Sequence, residues 1–227
     1  MIGNSSFAGL GNSSFASLTP APASADEAEP WVRGELIRSL MRASRGSYLL
    51  AAALMPAMVG LSWGHVPAWQ LIVWLVIGIV ATGCRIWGEQ LYARHYADRD
   101  SAAQQYFVER YRYLWSASGF AWGLSILIFF ERTPLVNQFM SWLIVAGVAT
   151  FPLNGLALHP PLLRRYVNTL FFTMLAAIIL RMIELKFERP HFHYGFLMLP
   201  VLHWWLLLRA GRRIHETARN SFELLFH

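Results

Sequence analysis

Asn154, Thr169, Thr173, Arg181, Glu184 and His203 are polar residues set in apolar surroundings, and ligand-binding chemistry is expected there first. A polar side chain at membrane depth is costly, so it turns toward the protein interior and a partner. His203, in LPVLHWWLLL just after Pro200, is either a ligand contact or proton-sensitive element, or half of an interhelix hydrogen bond. Pro152 and Asn154 interrupt ATFPLNGLAL, and Pro56 interrupts an earlier apolar run. Proline inside a helix frees a carbonyl. Three proline-bearing helices can therefore wall a pocket with Asn154, His203, Thr169 and Thr173 as its polar points, or simply kink to pack. Arg181 and Glu184 are three apart on one helical face, able to pair at the membrane surface or to gate a ligand.

Other chemistries find less. His65, His191 and His193 fall on one side of the membrane, but a His-x-His pair without cysteine or a carboxylate cluster does not make a metal or haem site. Cys84 is the sole cysteine, which rules out an intrachain disulfide and a cysteine-based metal centre. No Gly-rich phosphate loop, dinucleotide fingerprint or nucleophile elbow occurs, so no catalytic residue, metal or cofactor is assigned.

The elements that must position these residues follow from composition. The 227 residues are 56% hydrophobic and 14% charged, with ten Trp, whereas a soluble domain holds roughly 25% charged residues. This is the composition of a membrane protein. Apolar runs at 47–64, 67–84, 113–130, 139–158, 166–185 and 194–208 approach the roughly 20 residues that a crossing helix needs. The last is short, so the expected fold is all-α with six transmembrane helices, or five. Fifteen of the nineteen basic residues fall on one side of that arrangement, leaving Arg132, Arg181, Lys186 and Arg189 on the other. Basic residues are retained in the cytoplasm, which predicts both termini there. Topology thus accounts for the net charge of +6, with no nucleic-acid partner required.

Four regions are expected. Residues 1–29, with GNSSFA duplicated at 3–8 and 11–16, bury too little to order and read as a cytoplasmic tail; its Asn4 and Asn12 sequons lie behind no export signal. Residues 30–46 read as an interfacial helix, with Leu36, Leu40 and Met41 opposite Arg38, Arg42 and Arg45, or as an extension of the first span. Residues 47–208 form the membrane domain, in which Gly119 and Gly123 make a close-packing face inside the bundle or between protomers. Residues 209–227 begin a signalling helix, because Ile214, Ala218, Phe222 and Leu225 share a stripe that needs a partner, either a second copy or lipid.

In YRYLWSASGFAWGLSILIFF, VAGVATFPLNGLALHP and above all RAGRRIHETARNSFELLFH, the chain resembles the membrane-associated sensor modules of bacterial diguanylate cyclases and hybrid histidine kinases. The resemblance spans about residues 35–227 and rests on layout, so it transfers no functional residue. It implies a homodimeric input domain that senses a small lipophilic signal, such as a fatty-acid-like quorum signal, among the membrane lipids. The last helix would relay that signal to a cytoplasmic output domain outside this chain. A small transporter is the other reading, though no repeat between the halves is visible and buried charge is sparse; a membrane haem or metal protein is a third.

Overall fold

A computed structural model describes residues 25–186 and 190–226, and every described element is helical. The duplicated GNSSFA tail, with Asn4 and Asn12, lies outside the described residues, as do Arg189 and the side chains of His191, His193 and Leu225. In chain order the helices are α1 (Ala25–Ser62), α2 (Ala68–His95), α3 (Ser101–Arg110), α4 (Tyr113–Gly123), α5 (Ile126–Phe129), α6 (Leu135–Thr150), α7 (Leu153–Leu156), α8 (Pro160–Glu184) and α9 (Pro190–Phe226). Among the described residues, three stretches are long and apolar enough to cross a membrane: α2, α6 with α7 (Leu135–Leu156), and α8. The other apolar runs occupy the second half of α1, the pair α4 and α5, and the first half of α9.

Local sequence explains most boundaries. Pro160 and Pro161 open α8 with pre-set φ angles and no amide to leave unpaired. Asp100 caps α3 by accepting from the Ala103 amide at 3.1 Å. Between α4 and α5 the chain stays helical at Leu124 and Ser125 but tightens, with Ser125 N donating to Trp122 O and Ile128 N to Ser125 O. These are bonds three residues apart, so the expected span at 113–130 is one rod with a wound-up joint. Pro152 interrupts α6 because it has no amide for the Val148 carbonyl. The Tyr166 hydroxyl donates to that carbonyl at 3.1 Å, so the vacancy in the helix ladder is closed from α8.

The bundle is organised around α8, which packs on α4, α5, α7 and α9, while α1 packs on α2, α3, α6, α7 and α9. Between α2 and α4, Trp74 Nε1 donates to Ala121 O at 2.8 Å and its ring meets Trp122 edge-on at 5.5 Å. Outward, α2 exposes Trp69, Ile72, Val73, Val76, Ile79 and Val80, and α6 exposes Leu135, Phe139 and Leu143. Water does not tolerate so large an apolar belt on a monomer, whereas lipid does. The protein is therefore membrane-associated.

Two helices are much longer than a crossing requires. At 38 and 37 residues, α1 and α9 each run about 55 Å, against a hydrocarbon core of about 30 Å. Residues 30–46, read either as an interfacial helix or as an extension of the first span, form the first half of α1 and continue without a break into its apolar half. Their apolar side, Val32, Leu36, Ile37 and Leu40, is buried against the protein. Here α1, α3, the 157–161 segment and the second half of α9 gather into a layer at one end of the bundle.

Candidate functional site

The polar points read as lining a pocket, if the proline-bearing helices do more than kink, have separate surroundings among the described residues. His203 lies 3.2 Å by its Nε2 from Thr150 Oγ1 on α6, and its ring meets Phe171 of α8 edge-on at 5.5 Å. It is an interhelix tie joining α9 to α6. Asn154 is exposed on α7 and Thr169 is half-buried on α8. Thr173 lies on a shallow groove of about 420 Å³ with Phe120, Leu124, Phe172 and Leu180, open on the apolar flank of α4, α5 and α8. At Pro152 the freed Val148 carbonyl is taken up by Tyr166, and the cavity that these residues border measures about 20 Å³. Arg181 and Glu184 do pair. Arg181 is 10% exposed and directs Nε toward Phe130 O at 3.4 Å, while Glu184 stands 48% exposed.

The glycine face is intramolecular. A methyl group at Gly119 would lie 2.8 Å from the Tyr166 carbonyl oxygen, and one at Gly123 would lie 2.7 Å from that of Leu170. Both are main-chain atoms of α8, so α4 rides on its backbone with no space for a side chain between them.

Arg85, noticed in the sequence only as one more arginine for the topology, is buried at 9% exposure. Its guanidinium lies over Trp115 at 4.6 Å and within 5.7 Å of the Tyr48 ring. Nη1 has no hydrogen-bond partner among the described residues. Glu89, one turn further along α2, accepts from the Tyr48 hydroxyl and lies 3.9 Å from Arg45. The adjoining cavity, bounded by Ser44, Ser47, Tyr48 and Tyr166, measures about 20 Å³. That is room for one water and too small for a signal molecule.

Space is found in the layer formed by the halves of α1 and α9. A cleft of about 520 Å³ lies between the first half of α1, α3, residues 158–161 and the second half of α9. Its floor is Val32, Leu36, Ile37 and Leu158, and its polar groups are Arg33, Gln105, His159, His215 and Arg219 with Glu29 and Glu223. Arg33 donates to Glu29 at 2.9 Å and to Gln105 at 3.2 Å, and Arg219 donates to Glu223 at 2.7 Å. His159 and His215 each bury an Nδ1 that has no partner among the described residues. Burial pushes His159 below the ordinary imidazole value; its own backbone and Glu109 oppose the shift, and His215 adds to it. Gly211 lets α9 lie against Leu163 and Leu153 beside the cleft.

Sequence reasoning marked Leu36 as part of an apolar side but assigned none of the cleft's polar residues to a site. The usable signal was charge recurring on a helical face, Arg33 with Glu29 and Arg219 with Glu223, four residues apart on two helices that share no other pattern. Among the described residues, no three His, Cys, Asp or Glu side chains group as a metal site. Compared with known proteins, the chain matches no family model, no curated protein and no solved structure.

Proposed function

We propose that this protein is the input module of a bacterial signal-transduction receptor, crossing the inner membrane six times with both termini on the cytoplasmic side. The crossings beyond the three long apolar helices are the second half of α1, the rod of α4 and α5, and the first half of α9. Ligand occupancy of the inner cleft shifts α9, which acts on a cytoplasmic effector such as a histidine kinase. The ligand is a small lipophilic signal that reaches the cleft from the inner membrane surface.

One observation carries this reading. A single unbroken helix, α9, has its apolar half packed among the membrane-depth helices and its other half forming a wall of the cleft. A helix moves as a rod, so a ligand that prefers one position of that wall biases the whole element. The wall is lightly held. Ile214, Ala218 and Phe222, the stripe expected to need a second copy, are half-buried against the chain's own helices, and Leu224 is 77% exposed. Dimerisation in this proposal is a contact of that outer face, secondary to the motion.

The test uses nitroxide labels on cysteines at Arg42 and Ser221, both exposed, with Cys84 replaced by serine. Pulsed dipolar spectroscopy in bilayers is expected to give two distances whose ratio changes when bacterial lipid extract is added. A single distance, unchanged by every addition, overturns the relay. Orientation is read separately: an impermeant maleimide on right-side-out vesicles should label a cysteine at His65 and spare one at Asp98. Monomer alone when Phe222→Cys is oxidised would remove the dimer.

A further inference from the structure

We propose that the inner cleft binds a phosphate-bearing amphiphile, with its headgroup between His159 and His215 and its apolar part resting on α1. The lining has two characters. Val32, Leu36 and Ile37 supply an apolar shelf, while the imidazoles and two guanidiniums stand around it. A volume of about 520 Å³ falls within the several hundred Å³ typical of small-molecule sites.

The polar groups identify the ligand's charged end. Two buried Nδ1 atoms without partners are an unusual cost, because a buried polar group normally finds a hydrogen bond. Both histidines line the cleft, where an anion would meet their rings. The arginines are available for the same anion. Arg33 and Arg219 are held by carboxylates four residues away on their own helices, and those carboxylates, Glu29 and Glu223, are 72% and 48% exposed. Such surface pairs are weak, so a buried anion displaces Glu29 and Glu223 into solvent. Donors then converge from three segments: α1, the start of α8, and α9. A tetrahedral phosphate presents oxygens in all those directions, whereas a carboxylate presents two in one plane. The shelf of apolar side chains, next to membrane-depth helices, favours a lipid over a free phosphate.

This deepens the receptor reading by naming the ligand, and binding is measured without reference to any movement of α9, so either can fail alone. The intact chain in detergent micelles is melted while tryptophan fluorescence is followed, with dihexanoyl phosphatidic acid, dihexanoylglycerol, dodecanoate or inorganic phosphate added. Phosphatidic acid should raise the melting temperature saturably and the other three should not. His159→Leu with His215→Leu removes the unpartnered nitrogens and should leave the unliganded melt near that of the parent. It should raise the half-saturating concentration of phosphatidic acid about tenfold or more, since two charge-assisted hydrogen bonds are lost. Arg33→Gln, outside the buried layer, supplies a second variant with a weakening in the same direction. An equal response to dihexanoylglycerol overturns the headgroup assignment, an equal response to dodecanoate overturns the phosphate, and an equal response to inorganic phosphate overturns the lipid. Undiminished binding in the substituted chains overturns the site.

Discussion

Helix α8 builds two surfaces of opposite kind. Along Tyr166–Leu170 its backbone meets Gly119 and Gly123 so closely that a single methyl group would collide with carbonyl oxygens. At Pro160 and Pro161 the same helix borders a cleft of about 520 Å³ whose exposed ion pairs each lie within one helix, Arg33 with Glu29 on α1 and Arg219 with Glu223 on α9. The first surface couples α4 and α8 into one body, because backbone against backbone has no slack to take up displacement. The second leaves α9 lightly restrained where it leaves the bundle. A molecule built this way pairs a close-packed seam with a cleft at one end, bordered by a long helix.

The largest effect that would break this contrast is at the seam. Gly119→Ala and Gly123→Ala should each destabilise the protein by about 1–3 kcal/mol, since the new methyl group presses on main chain that cannot rotate away. A drop in melting temperature in detergent checks it; parent-like melting of both would show that the seam is loose. Next comes Tyr166→Phe, expected to cost about 1–2 kcal/mol by leaving the Val148 carbonyl without a donor. Adding Pro152→Ala restores an amide at the right place in α6, so the double substitution should recover most of that loss. Denaturation of the four chains of the cycle gives the coupling, and strict additivity would detach Tyr166 from the proline.

Arg85→Met should lie within about 1 kcal/mol of the parent, because the lost stacking on Trp115 is offset by removing a buried charge with an unpartnered nitrogen. A loss of several kcal/mol would instead place Arg85 at the centre of a network. The smallest effect sharpens the other half of the comparison. His159 feels the charges of Glu109 and His215, and Arg33, Arg219, Glu29 and Glu223 line the same cleft. Its folded pKa lies below the unfolded value of about 6.5, so the unfolded chain takes up the proton more readily and stability falls as pH drops through about 6.5 and below. Amide exchange in the second half of α9 should accelerate between neutral and mildly acid pH, and His159→Leu should remove most of that acceleration.

Legibility in the sequence followed the range of each interaction. The Arg181–Glu184 pair was readable because both residues sit on one turn of one helix. The close approach at Gly119 and Gly123 was readable as a motif, though not its partner, which is α8 of the same chain. His203 was readable as needing a partner, and Thr150 is that partner. The proposed gathering of Asn154, Thr169, Thr173 and His203 was beyond reach, because it depends on helix rotations that no local pattern encodes. Arg85 shows the same limit from the other side: an arginine after an apolar run reads as a flanking charge until Trp115 and Tyr48 arrive from other helices.

The amino-acid order by itself determined the helical class, the apolar lengths, the prolines that start α8 and divide α6, and the asymmetric distribution of arginine. These are properties of hydropathy and backbone chemistry over a few turns. Only the tertiary structure decided that the first half of α1 packs within the protein, that Tyr166 heals the break at Pro152, and that a cleft of about 520 Å³ lies between α1 and α9. Each of those depends on contacts between segments far apart in the chain, where small differences in rotation and depth choose which side chains meet.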